Sequence, residues 1–78
     1  MGTKQDVQNS VREHRLDRRG MTQQDLADLV GVTRQTIHAI EKGSYNPSVG
    51  LALSLARVFG VSVEELFQLD EEDEHGKR

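Results

Sequence analysis

Apolar residues recur at helical spacing in two clusters near the middle of the chain. The two clusters are Leu26, Ala27 and Val30, and then Ile37 and Ile40. Residues three or four positions apart lie on one face of a helix, so each cluster predicts a short amphipathic helix. Gly31 lies between the clusters and can adopt the positive φ that ends a helix sharply. The segment 22–43 therefore predicts two helices packed crosswise around one tight turn.

Polar residues suited to capping stand where these two helices would begin. Thr22 precedes the first helix, and Asp25 follows three positions later as a weaker version of the Ser/Thr-x-x-Glu capping box. Thr33 can accept hydrogen bonds from the free amides of the second helix. Both predicted helices therefore have a local start signal as well as an apolar face.

Three further helices and no strand are predicted outside this segment. The first covers about residues 4–19, begins after Thr3, turns Val7, Val11 and His14 inward, and ends at Gly20. Ser48 caps a fourth helix, whose apolar stripe is Leu51, Ala52, Leu55, Ala56 and Phe59. Ser62 and Glu65 form a capping box for a short fifth helix that carries Val63, Leu66 and Phe67. The pattern predicts one all-α domain over residues 1–69.

The outer face of the helix over about residues 34–42 is polar. With Ile37 and Ile40 set inward, a rotation of about 100° per residue points four side chains outward. These are Gln35, His38, Ala39 and Lys42, with Arg34 and Thr36 on the flanks. Such a face can be merely solvated or can bind a partner. Glu41 leans back toward the domain, where an ion pair with Arg12 or Arg15 would fasten the helix.

The residues of this segment resemble the phage repressor and Cro family, the Xre-like helix-turn-helix DNA-binding regulators. The matching positions are Thr22, Gln23, Leu26, Ala27, Gly31, Val32, Ile37, Glu41 and Gly43. The resemblance continues through Asn46 and Pro47 and covers roughly residues 7–69. It implies a compact five-helix lambda-repressor-like domain with a central helix-turn-helix. His14 departs from the pattern, because relatives more often have leucine there, and we interpret it as a histidine at the edge of the core.

The resemblance also implies which residues contact DNA. Those residues are Thr22, Gln23, Thr33, Arg34, Gln35, Thr36, His38, Ala39, Lys42, Ser44 and Asn46. Gln23 would bind a phosphate at the start of the second helix, or only stabilise that helix. Lys42 and the loop at 44–46 would hold the backbone at the other end.

Base reading is assigned to the third helix on the same grounds. Arg34 would read guanine or contact phosphate, and Gln35 would read adenine. His38 would reach a base edge or a phosphate, and Ala39 would touch a thymine methyl. Thr36 has the least defined role.

Charge is unevenly distributed along the chain. The net charge is −3, and residues 70–78, with five acids and two bases, account for all of it. Residues 1–69 hold eight acids and eight bases, so long-range attraction to DNA is expected to be modest. The acidic tail at 70–78 is predicted to be a disordered solubilising end, with competition against DNA or repulsion of it as alternatives.

One short recognition helix reads few base pairs, so a homodimer is expected, with Phe67 and Leu69 as its dimerisation residues. Alternatively, Phe67 closes the core of the monomer. The predicted function is a transcriptional repressor that places the third helix in the major groove of operator DNA. The alternative is a protein-interaction module, such as an antitoxin or a coactivator, for which DNA contact is secondary.

Other classes of protein lack their characteristic residues here. The chain has no cysteine, and His14, His38 and His75 are not at helical ligand spacing. No nucleophile motif or phosphate-binding glycine loop is present. We therefore expect no enzyme activity, metal, cofactor or small-molecule substrate. No apolar run is long enough for a membrane span or a signal segment, so the expected location is the cytoplasm.

Overall fold

The structure, a computed structural model, describes residues 7–69 and contains five helices and two short strands. In chain order these are β1 (Val7–Asn9), α1 (Val11–Leu16), α2 (Gln23–Val30), α3 (Arg34–Lys42), α4 (Val49–Phe59), α5 (Val63–Leu66) and β2 (Phe67–Leu69). The predicted all-α, five-helix class is confirmed, with a small sheet as a minor addition. The Thr3 cap, the beginning of the first predicted helix and the acidic tail lie outside the described residues.

The two strands correct the prediction that strands are absent. β1 and β2 pair antiparallel, with Val7 opposite Leu69 and Asn9 opposite Phe67. Phe67 has the extended dihedral angles φ −130° and ψ 132°, so it belongs to β2 and not to the last helix. Strands of three residues are too short to display alternation, and the spacing of Val7 and Val11 fits a helix equally well.

The first helix is much shorter than predicted, because side-chain and backbone contacts determine where it begins. The Asn9 carboxamide oxygen accepts from the Val11 N–H at 3.0 Å, and its Nδ2 donates to the carbonyl of Ile40 at 2.9 Å. The Ser10 N–H donates to the Leu66 carbonyl at 3.0 Å. These bonds join the start of α1 to the end of α3 and to α5. The helix ends at Leu16, not at Arg19.

The predicted caps of α2, α3, α4 and α5 are present in the structure. Thr22 and Asp25 form a reciprocal capping box at α2, and Ser62 and Glu65 form another at α5. The hydroxyls of Thr33 and Ser48 accept the amide hydrogens of the residues three positions later. Gly31 ends α2 in the left-handed region with φ 76°.

The core lies where the five helices meet. Its buried apolar residues are Val11, Leu26, Ala27, Ile37, Ile40, Leu55, Ala56, Phe59 and Leu66. Ala27 and Ile37 are fully buried. The small Ala27 on α2 and the branched Ile37 on α3 suit the close packing of the crossing between the two helices. His14 lies at the core edge as predicted: its ring is half-buried, 5.5 Å from the Phe59 ring centroid. The core thus holds α3 by its apolar side and leaves the opposite side exposed.

Candidate nucleic-acid interface

The recognition face of α3, which we define as Arg34, Gln35, His38, Ala39 and Lys42, lies opposite its buried isoleucines. Arg34, Gln35, His38 and Lys42 are exposed, as the helical wheel predicts. Ala39 is half-buried and not fully exposed, so its methyl group is less accessible than an outward position on the helical wheel predicts. Thr36 is also half-buried, and its hydroxyl lies 3.0 Å from that of Thr33.

A buried ion pair holds α3 against α1. Arg15 donates from Nε to Oε2 of Glu41 at 2.7 Å and from Nη2 to Oε1 at 3.1 Å. The side chains of Arg15 and Glu41 are only 10% and 3% exposed. Of the two partners that the sequence allowed for Glu41, the structure selects Arg15. The hydrogen bond to Glu41 raises the pKa of Arg15, burial opposes that rise, and the charge of Glu41 adds to it.

Two further hydrogen bonds extend this ion pair to α2. Gln23 donates from Nε2 to Oε1 of Glu41 at 3.0 Å, and Arg15 donates from Nη1 to the Met21 carbonyl at 3.0 Å. Gln23, predicted to bind phosphate, therefore already uses one of its two amide hydrogens inside the domain. Its second amide hydrogen is the only one left for a ligand. The three residues Arg15, Gln23 and Glu41 fix the angle between α3 and the two preceding helices.

The remaining predicted DNA-contacting residues lie at the carboxyl-terminal end of α3 and at the starts of α2 and α3. Gly43 ends the helix with φ 86°, and the Ser44 N–H donates to the Ala39 carbonyl at 3.0 Å. Ser44 and Asn46 are exposed in the loop that follows. At the start of α2, the Thr22 hydroxyl accepts a hydrogen bond from the Asp25 amide and so caps its own helix. The structure therefore brings the loop beside Lys42, whereas Thr22 and Thr33 serve first as caps.

Sequence reasoning missed one residue beside this face. Arg12 is exposed and lines a shallow depression of about 180 Å³ together with Gln23, His38, Glu41 and Lys42. From the sequence, Arg12 is expected only as a possible partner of Glu41. The spacing of the two arginines on α1 contains the signal for this position. Arg12 lies one turn before Arg15, and only one of the two is needed to neutralise Glu41, so the other can bind a different group.

An apolar surface lies near β2. Phe67 is half-buried and packs against the core, whereas Leu69 is 52% exposed. Phe67 also lines a groove of about 310 Å³, together with Val7, Asn46, Pro47, Val49, Ala52, Leu53 and Val63. Val49 is 77% exposed and Leu53 is 56% exposed. Phe67 thus contributes to the monomer core and to an exposed apolar groove.

Within residues 7–69, no group of three His, Asp or Glu side chains is arranged to hold a metal ion. None of the helices described is long and apolar enough to cross a membrane.

Comparison with known proteins identifies relatives along most of the chain. The helix-turn-helix family matches residues 11–66. A regulator from Archaeoglobus fulgidus is 49% identical over 71 residues, which are 91% of this chain and 100% of the relative. Another from Methanothermobacter thermautotrophicus is 54% identical over 63 residues, covering 80% of this chain and 90% of the relative. YgzD of Bacillus subtilis is 48% identical over 67 residues, covering 86% and 100%. All three relatives are named uncharacterized HTH-type transcriptional regulators.

Proposed function

Since the chain belongs to the helix-turn-helix family of Xre-like regulators, we propose that it binds double-stranded DNA in a sequence-specific manner and regulates transcription. The observation that carries this proposal is the recognition face of α3, whose polar side chains are exposed while Ile37 and Ile40 on the opposite side are fully buried. A helix mounted in this way can enter the major groove without disturbing the core.

In the proposed complex, the first turns of α3 read the bases. Arg34 can donate two hydrogen bonds to guanine O6 and N7, and Gln35 can pair with the N6 and N7 edge of adenine. His38 lies one turn further along α3, and the half-buried Ala39 offers a methyl group to thymine only where the helix fits closely. The ion pair between Arg15 and Glu41 supports this reading, because it holds α3 at one angle before DNA is bound.

Contacts with the DNA backbone would set the depth and register of α3. Lys42, Ser44 and Asn46 are exposed at its carboxyl-terminal end and can bind phosphate oxygens there. Gln23 would use its second amide hydrogen at the start of α2, where the helix dipole favours an anion. Because residues 1–69 have no net charge, these contacts act at short range and long-range steering contributes little.

We further propose that the regulator acts as a homodimer through an apolar face defined as Val7, Val49, Leu53, Phe67 and Leu69. Two copies would present two α3 helices to half-sites about 34–36 Å apart. The exposure of Val49 and Leu69 and the groove at Phe67 support this surface, because solvent-exposed apolar area of this kind favours association. In its simplest form, the dimer is a cytoplasmic repressor that occupies an operator and excludes RNA polymerase.

Selection of duplexes from a randomised pool, followed by fluorescence anisotropy, tests the proposal. We expect one enriched sequence whose affinity falls with salt. Gln35→Ala should weaken binding to that sequence more than to unrelated DNA, whereas Lys42→Ala should weaken both alike and reduce the salt slope by about one. Gln8→Ala is the matched control, because Gln8 is also exposed but lies on β1 and not on α3.

Two results would count against the proposal. If the pool yields no enriched duplex, sequence-specific regulation is refuted and a protein-interaction module, such as an antitoxin or coactivator, becomes the better interpretation. If cognate preference survives the combined replacement of Arg34 and Gln35, the assignment of base reading to these residues is wrong.

A further inference from the structure

We infer that Arg12, His38 and Lys42 form a binding site for one phosphate group of the DNA backbone, a site that draws on α1 as well as α3. The inference rests on the proposed DNA binding and adds a contact that lies outside the helix-turn-helix pair. It makes α1 a direct contributor to affinity and not only a support for α3.

The geometry that suggests this site is the depression of about 180 Å³ beside α3. Arg12 comes from α1, His38 and Lys42 come from α3, and Gln23 and Glu41 complete its lining. Arg12, His38 and Lys42 are all exposed. Within residues 7–69, neither Arg12 nor Lys42 has an ion-pair partner, since the pair found there joins Arg15 to Glu41. Among the described residues, no acid neutralises either cation.

Glu41 is the one acid in the lining, and its charge is already balanced. Its two carboxylate oxygens accept three hydrogen bonds, two from Arg15 and one from Gln23. Because Arg15 neutralises Glu41, the depression keeps the two positive charges of Arg12 and Lys42. This local excess contrasts with residues 1–69 as a whole, which are neutral. An anion is therefore favoured at this place by short-range attraction.

A backbone phosphate fits this site better than a base edge does. Arg12 stands on α1, beside the carboxyl-terminal end of α3, whereas the residues that read bases lie on the recognition helix itself. A guanidinium binds phosphate with paired N–H donors, an ammonium adds a compact charge, and a neutral imidazole can donate one N–H. All three donor types line the same depression, so one phosphate group can meet them together.

The test compares Arg12→Ala with Arg57→Ala, which removes the same charge from an exposed position on α4. We expect Arg12→Ala to weaken binding about tenfold at low salt, on cognate and unrelated duplexes alike, and to make the salt slope shallower. Arg57→Ala should leave the affinity and the slope within about twofold of the parent. Thermal melting of both variants should match the parent, because both side chains are exposed.

A double-mutant cycle asks whether Arg12 and Lys42 share one phosphate. If they do, the double variant Arg12→Ala with Lys42→Ala should lose less affinity than the fold-losses of the two single variants multiplied together. The reason is that each cation helps to hold the phosphate that the other binds. Losses that multiply within about twofold would overturn the shared site.

Failure of this inference is distinguishable from failure of the proposed function. If the parent binds a selected duplex and Arg12→Ala behaves like Arg57→Ala, the phosphate site is refuted and the regulator proposal stands. If the parent binds no duplex at all, the proposed function is refuted, and the phosphate site with it.

Discussion

Replacing Glu41 by glutamine removes the negative charge from the buried hydrogen-bonded contact between α1, α2 and α3, with little change in side-chain volume. The Glu41 side chain is 3% exposed and accepts two hydrogen bonds from Arg15 and one from Gln23. A glutamine has one acceptor oxygen and an NH₂ group that would face donors. The Arg15 guanidinium would keep its bond to the Met21 carbonyl but would lose its counter-charge.

The expected cost follows from burial. Breaking a buried ion pair by removing one partner costs about 3–5 kcal/mol. The lower end applies here, because Arg15 keeps the Met21 carbonyl and remains 10% exposed. A loss of about 3 kcal/mol corresponds to a fall in Tm of roughly 12–24 °C for a domain of this size. The total stability expected for 78 residues is only about 4–12 kcal/mol, so the effect is a large fraction of it.

Urea denaturation followed by circular dichroism at low temperature measures this loss. Glu13→Gln is the control, because Glu13 is exposed on α1 and bears the same charge; its replacement should change stability by less than about 0.5 kcal/mol. The raised pKa of Arg15 leaves its contribution fully present at any pH below the ordinary arginine pKa. Arg15 therefore stays protonated in neutral buffers, and small differences in pH do not affect the comparison.

A second variant separates loss of charge balance from loss of packing. Arg15→Met combined with Glu41→Leu replaces both charges by apolar groups and should recover most of the stability lost in Glu41→Gln. A loss below about 1 kcal/mol in Glu41→Gln would refute the reasoning. So would a double variant that is less stable than the single one, since the penalty would then not come from an unbalanced charge.

Three other substitutions have definite expected outcomes. Gly31→Ala should cost about 1–2 kcal/mol in urea denaturation, because φ is 76° there, although an added Cβ would meet no atom within 4 Å; a cost near zero would contradict this. Ser62→Ala should cost about 1 kcal/mol in the same assay by removing the cap of α5, and Ser54→Ala, at an exposed site on α4, should cost much less. Leu69→Asp should shift the sedimentation equilibrium from dimer to monomer while far-ultraviolet circular dichroism is unchanged, and a dimer of unchanged strength would exclude Leu69 from the interface.

Most helices were predictable because their signals are local. The spacing of apolar residues predicted α2, α3 and α4. A hydroxyl residue before each helix predicted the cap, because its oxygen can accept from the backbone amide three positions later. The recognition face also followed from spacing, since burying Ile37 and Ile40 turns Gln35 and His38 outward. Ala39 was placed less well, because a wheel gives the direction of a side chain and not its exposed fraction.

The errors have a common physical origin. The predicted first helix began too early because Val7 and Val11 suit a helix, whereas the pairing of Val7 with Leu69 joins opposite ends of the described chain. Asn9 bonds to the carbonyl of Ile40, 31 positions away. Local spacing carries no information about such partners.

The helical class, the family and the polar side of α3 follow from periodicity and from residue types a few positions apart, so they could be predicted without a structure. The pairing of Glu41 with Arg15 and not with Arg12 could not be predicted in this way, because it depends on which guanidinium the packing brings within hydrogen-bonding distance. The same packing directs Gln23 to Glu41 and leaves Arg12 beside Lys42. Long-range contacts are set by the positions of whole helices, and those positions emerge only when the core assembles.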